Sequence, residues 1–220
     1  MFWKLLKKEL QVELRSKEIT ASMLTFGLTI ILTFAFAFNI STSLYNTFAP
    51  GLLWIIVLFI SVFGLHRMFA FEKDFDAFSL IISAPIDRGL VFLSKWVSGV
   101  ILIFVSELFI IPPFFLFLQL SIDFSWLTGL QILLLGNSGI MVIGSLVSGL
   151  AMRAKMSEVL LPILLFPLVS PVIIASAKAT SGLLTGVEPK EYQIWILILL
   201  TFNVIYGIVG YTIFEHITEE

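Results

Sequence analysis

The chain has 220 residues, of which 59% are hydrophobic and 13% charged, with a mean hydropathy of +1.06 and a net charge of −2. Soluble domains carry about 25% charged residues, so a water-soluble globule is excluded. The apolar runs are continuous rather than alternating, so helices in lipid are expected rather than a barrel.

The first segment, residues 1–18, predicts an amphipathic helix in the membrane interface. Trp3, Leu6, Leu10 and Leu14 share one face, with Lys4, Lys7, Lys8, Gln11 and Arg15 on the other. Such a helix sets aromatics at headgroup depth and cations toward anionic lipid. Its simplest role is to anchor the first span, and a docking role is the alternative. The segment is too basic for a signal peptide. The apolar run from Ala21 to Phe38 ends in Asn39-Ile40-Ser41-Thr42 without a small-x-small cleavage pattern, so it reads as a retained span.

Six stretches are long enough to cross a bilayer, near residues 20–39, 48–66, 96–118, 127–151, 158–178 and 193–214. They leave no room for a soluble domain, so residues 1–220 are expected to form one all-α transmembrane domain. Lys and Arg set its orientation. Five lie in the N-terminal segment, four in the second loop (Arg67, Lys73, Arg88, Lys95) and two in the fourth (Arg153, Lys155), against Lys178 and Lys190 in the fifth. Both termini are therefore expected on the cytoplasmic side.

The second loop, residues 67–95, is the longest. Phe71, Phe75, Phe78 and Ile82 form an apolar stripe, and Glu72, Asp76, Ser79 and Ser83 a polar one. Pro85 stops this helix, and Asp87 can cap the next. A flat helix of this kind either docks against another protein or is a solvated linker, and the pattern does not choose between them.

The third span holds Glu107 and the pair Pro112-Pro113. An intramembrane carboxyl either ties helices together or passes protons. Tying is favoured, because no second intramembrane acid is present. The fourth span carries Gly136, Asn137, Ser138, Gly139, Gly144, Ser145, Ser148 and Gly149. These suit close helix packing, with a polar substrate path as the lesser reading. The fifth has Pro162, Pro167 and Pro171. It is expected to be kinked or broken, with a short re-entrant or surface element over residues 176–193.

No catalytic triad, nucleotide-binding glycine loop or metal-ligand cluster is visible, so no catalytic residue and no metal site is expected. Without cysteine, disulfides and thiolate metal sites are also excluded. The only histidines, His66 and His216, fall at predicted cytoplasmic ends of spans. Nothing in the sequence points to nucleic acid.

Taken together, the chain resembles the heme exporter protein B family of cytochrome c maturation, a branch of the ABC-2-type permease subunits. The stretches that carry the likeness are Ala49–Trp54, Phe71–Asp74, Ser83–Gly89, Leu93–Trp96 with Glu107, Glu158–Leu168 with Pro171, and Phe214-Glu215. The chain departs from the family pattern at Asp76 and at Phe78-Ser79, where the family has glycine and then Leu-Glu.

The resemblance implies that the second loop is a coupling helix seated in a separate ATP-binding subunit. Phe71, Glu72, Lys73, Asp74, Phe75, Asp76, Phe78, Pro85, Asp87 and Arg88 would be its coupling residues. It also implies a location in the cytoplasmic membrane and a heme-handling membrane partner. Heme would be handled by the complex and ATP by the partner subunit, with no cofactor held by this chain. Iron is held by His, Met, Cys or Tyr, and no His or Cys here lies on the expected outer side, so iron ligation is expected from a partner. The alternatives are a non-transporting scaffold that couples ATP hydrolysis to release of a heme chaperone, and an exporter of lipid or drug.

Overall fold

A computed structural model describes residues 1–37, 42–74, 86–121, 124–151 and 157–217. Within these residues every regular element is a helix: α1 Phe2–Ser16, α2 Glu18–Ala37, α3 Thr42–Asp74, α4 Arg88–Phe117, α5 Trp126–Ala151, α6 Ser157–Thr185 and α7 Pro189–Ile217. The six from α2 to α7 each contain a stretch long and apolar enough to cross a bilayer.

The corner between α1 and α2 is a single residue. Lys17 adopts a left-handed conformation (φ 54°), and its N–H donates to Glu13 O at 2.7 Å, which closes α1. Its own carbonyl accepts from Ala21 N and so opens α2. The buried Glu13 side chain then reaches into the first turn of α2, where Oε1 accepts from the Thr20 N–H at 2.8 Å and the Thr20 hydroxyl at 2.6 Å. A carboxylate there satisfies an amide that has no partner within its own helix and meets the positive end of the α2 dipole.

At the centre stands α5, which packs against α3, α4, α6 and α7. Glycine at its contact positions lets neighbouring side chains lie on the backbone. Trp54 covers Gly136, Leu65 covers Gly144 and Phe214 covers Gly149. The small-residue run of the fourth span is thus a packing surface. Polar ties also cross the bundle: Trp54 Nε1 donates to Thr180 Oγ1 at 2.9 Å, joining α3 to α6, while Trp96 Nε1 donates to Ser138 O at 3.0 Å and Asn203 Nδ2 to Leu135 O at 2.9 Å, joining α4 and α7 to α5.

Three expectations from the sequence are corrected. First, α6 runs without a break through Pro162, Pro167 and Pro171 to Thr185, where a kinked or broken helix and a re-entrant or surface element over residues 176–193 were expected. Pro171 has no N–H for the Pro167 carbonyl, but the Ser170 hydroxyl donates to that carbonyl at 2.8 Å in its place. The turn lies only at Gly186 (φ 67°), and α7 begins at Pro189. Lys178, counted to the fifth loop, therefore lies inside α6.

Second, the helices reach well into the segment 67–95. Arg67 to Asp74 continue α3, and Arg88 to Lys95 open α4. Third, the apolar stripe of the N-terminal helix is divided. Leu6 is buried in the bundle, while Trp3 and Leu14 face outward.

The prolines of α4 are also accommodated. The helix continues through Pro112 and Pro113 to Phe117 and then closes on Gln119 (φ 52°). Gln119 N–H donates to Leu116 O and Leu120 N–H to Phe115 O, the paired bonds of a Schellman ending.

Candidate functional site

Two groups of polar residues stand out, one at the end of the bundle that carries the N-terminus and one within the apolar core.

At the N-terminal end, Phe71, Glu72, Lys73 and Asp74 form the last turn of α3. Phe75, Asp76, Phe78 and Pro85 lie outside the described residues. Asp87 caps α4, its Oδ1 accepting from Gly89 N–H at 2.8 Å. Its second oxygen, Oδ2, accepts from the Tyr211 hydroxyl at 2.7 Å. Next to it, Arg88 Nη1 donates to the Glu215 carbonyl at 3.3 Å. Gly89 is buried with the Tyr211 ring against it, and a Cβ there would stand 2.5 Å from the ring. The exit of the α3–α4 segment is thus fastened to the end of α7.

Two turns along α4 sits Lys95, which is fully buried. Its ammonium lies 3.0 Å from Glu9 Oε2 on α1 and 5.0 Å from the centre of the Phe69 ring on α3. Desolvating an ammonium is tolerable only with such a partner, and the aromatic face adds to it. Three helices therefore meet at one cation. On the other side of the segment, Arg67 of α3 is ion-paired with Glu18 of α2.

Lys95, Glu9, Glu13 and Tyr211 are residues that the sequence reading did not single out. Lys95 was counted as a loop cation. The available hint was that Glu9 and Glu13 are one helical turn apart in an otherwise basic segment.

Within the core, Asn137 Nδ2 donates to Glu107 Oε2 at 2.7 Å, joining α5 to α4. Both residues are buried. Glu107 Oε1 and Asn137 Oδ1 have no hydrogen-bond partner. Glu107 also lines a cavity of about 1050 Å³ between α4, α5 and α6, whose walls include Pro112, Pro113, Phe115, Leu133 and Leu183. Its rim carries the exposed Leu108, Leu116 and Trp126. Among the described residues that line it, none is His, Met, Cys or Tyr, so these offer no usual axial ligand to heme iron. Pro167 and Pro171 are exposed and take no part in it. Among the described residues, no cluster of three or more His, Cys, Asp or Glu could hold a metal ion.

The family model described as CcmB protein matches residues 1–214. A relative named Heme exporter protein B from Pseudomonas aeruginosa is 26% identical over 202 residues, covering 89% of this chain and 87% of its own length. Proteins of the same name are 27% identical in Rhodobacter capsulatus, with 79% of each chain covered, and 28% identical in Haemophilus influenzae, with 81% of this chain and 80% of the relative covered.

Proposed function

This chain belongs to the CcmB family, and from that premise we propose that it is the permease subunit of an ATP-driven complex that delivers heme across the cytoplasmic membrane for cytochrome c maturation. The observation that carries the reading is the reach of the family match, residues 1–214, over all six apolar helices and the segment between α3 and α4. The end bearing α1 faces the cytoplasm, in line with its excess of Lys and Arg. The segment from Phe71 to Gly89 docks on a separate ATP-binding subunit, and a heme-handling membrane subunit completes the complex. The ties from Asp87 and Arg88 to α7 support this reading, since a segment that receives force needs a fixed exit.

Charge reversal at Glu72 and Asp76 tests the docking. The ATPase is expected to dissociate or lose its stimulation while the chain stays in the membrane. Unchanged co-purification together with unchanged stimulation would overturn it.

ATP is held by the partner subunit and iron is not ligated by this chain; the lining of the cavity among the described residues supports the second point. A stoichiometric heme spectrum from the purified chain, lost on His66→Ala, would refute it. The same lining favours a second reading, in which the chain is a non-transporting scaffold and ATP hydrolysis releases a heme chaperone. Sealed vesicles carrying the whole complex separate the two readings. ATP-dependent accumulation of heme supports transport, and chaperone release without heme flux supports the scaffold.

A further inference from the structure

Helix α1 turns its acids inward and Lys4, Lys7 and Arg15 outward. At 3.6 residues per turn, Trp3, Leu14, Lys7, Gln11, Lys4 and Arg15 fall, in that angular order, within one arc of about 120°. All six are exposed. Trp3 and Leu14, at one edge of the arc, are 76% and 72% exposed. The other edge is cationic. The opposite side of the helix carries Leu6, Glu9 and Glu13 into the bundle. Glu9 meets Lys95, and Glu13 is taken up by the first turn of α2. Glu9 also holds the half-buried Lys8 at 3.0 Å, so the outward charge is that of Lys4, Lys7 and Arg15.

We propose that the outward face of α1, formed by Trp3, Lys4, Lys7, Leu14 and Arg15, is a binding surface for anionic phospholipid headgroups. The graded face matches such a surface in two ways. Trp3 and Leu14 provide an apolar edge that enters the headgroup–acyl boundary, and the cations lie where lipid phosphates stand. Each Lys or Arg near an anionic leaflet adds its own attraction, and salt screens it. An acidic protein surface would meet the cations but would leave the exposed Trp3 and Leu14 without an apolar counterpart. The Glu9–Lys95 pair then joins the lipid-bound helix to α4, so α1 is held between the leaflet and the bundle. This proposal does not depend on what the chain transports.

The test uses the full chain in nanodiscs of mixed phosphatidylglycerol and phosphatidylcholine, with one lipid or the other brominated. Bromine quenches tryptophan by contact, and the Trp3 component is isolated by difference from a Trp3→Phe variant. Brominated phosphatidylglycerol is expected to quench Trp3 roughly threefold more than brominated phosphatidylcholine at equal mole fraction. The preference should disappear in high salt and in a Lys4→Gln/Lys7→Gln/Arg15→Gln variant. If that variant fails to fold, the salt titration of the unaltered chain decides alone. Equal quenching by the two lipids overturns the proposal. So does a preference that salt and the triple substitution leave intact. Loss of a partner subunit from the triple variant, with no lipid preference in the unaltered chain, assigns the face to an acidic protein instead.

Discussion

Lys95 and Glu9, 86 positions apart in sequence, form an ion pair of 3.0 Å in which the lysine side chain is wholly enclosed. Breaking a buried pair costs about 3–5 kcal/mol, and here Glu9 is also held by Lys8 at 3.0 Å, so the carboxylate keeps one partner when Lys95 is lost. Lys95→Met alone and Glu9→Leu alone are both expected to lower the thermal midpoint of the detergent-solubilised chain, Glu9→Leu the more. The double substitution should recover most of the loss, because two apolar side chains of similar volume fill the space without a stranded charge. A double-mutant cycle in thermal unfolding measures this. Additive losses would mean that the two side chains act independently.

The Asn137–Glu107 contact follows the same logic deeper in the bundle. Asn137→Leu removes the one donor that the Glu107 carboxyl meets among the described residues, leaving both of its oxygens without a partner there in an apolar setting. The expected cost is about 1–3 kcal/mol. Adding Glu107→Leu to Asn137→Leu should restore stability, since an apolar pair needs no donor. If the double variant is stable yet the complex loses activity, the carboxyl serves the cavity as well as the packing. If activity is retained, its role is to tie α4 to α5.

Two side chains sit in left-handed backbone that glycine adopts more easily, Lys17 at φ 54° and Gln119 at φ 52°. The left-handed region costs an L-residue roughly 1–2 kcal/mol. Lys17→Gly and Gln119→Gly should each raise stability by about 1 kcal/mol, less what glycine gains in the unfolded chain. A β-branched residue should lower it at either position. Valine variants that melt with the parent would show that the corner has other ways to turn.

The six spans were legible because they depend on uninterrupted apolar length, which any window of the sequence displays. The Asp87 cap was legible for a similar reason, since its partner amide lies two residues away. The ties that cross the fold were not legible. Lys95 is written among residues that look like a loop end, and only the arrival of α1 makes it a buried cation. Tyr211 shows nothing local that points to Asp87, 124 residues earlier. Prolines misled in the opposite direction. Three of them in α6 signalled a kink or a break, but the helix continues through all three, and Ser170 replaces one lost donor.

The fastening of Asp87 to Tyr211 makes a prediction that separates stability from coupling. Asp87→Ala loses both the α4 cap and the acceptor for Tyr211, and the cap alone is worth about 0.5–2 kcal/mol. Tyr211→Phe keeps the cap and the ring against Gly89 while deleting only the hydroxyl. Both variants should remain in the membrane, with Asp87→Ala the less stable in thermal unfolding. If the exit of the α3–α4 segment is a fixed handle for the ATP-binding subunit, Tyr211→Phe should also lower ATPase stimulation in the assembled complex, although it disturbs the fold least. A handle that works only through the cap gives a different result: Tyr211→Phe would stimulate like the parent and Asp87→Ala would not. Parent-level stimulation from both variants would remove this end of α4 from the coupling path, since a rigid connection cannot lose two of its fastenings without transmitting less.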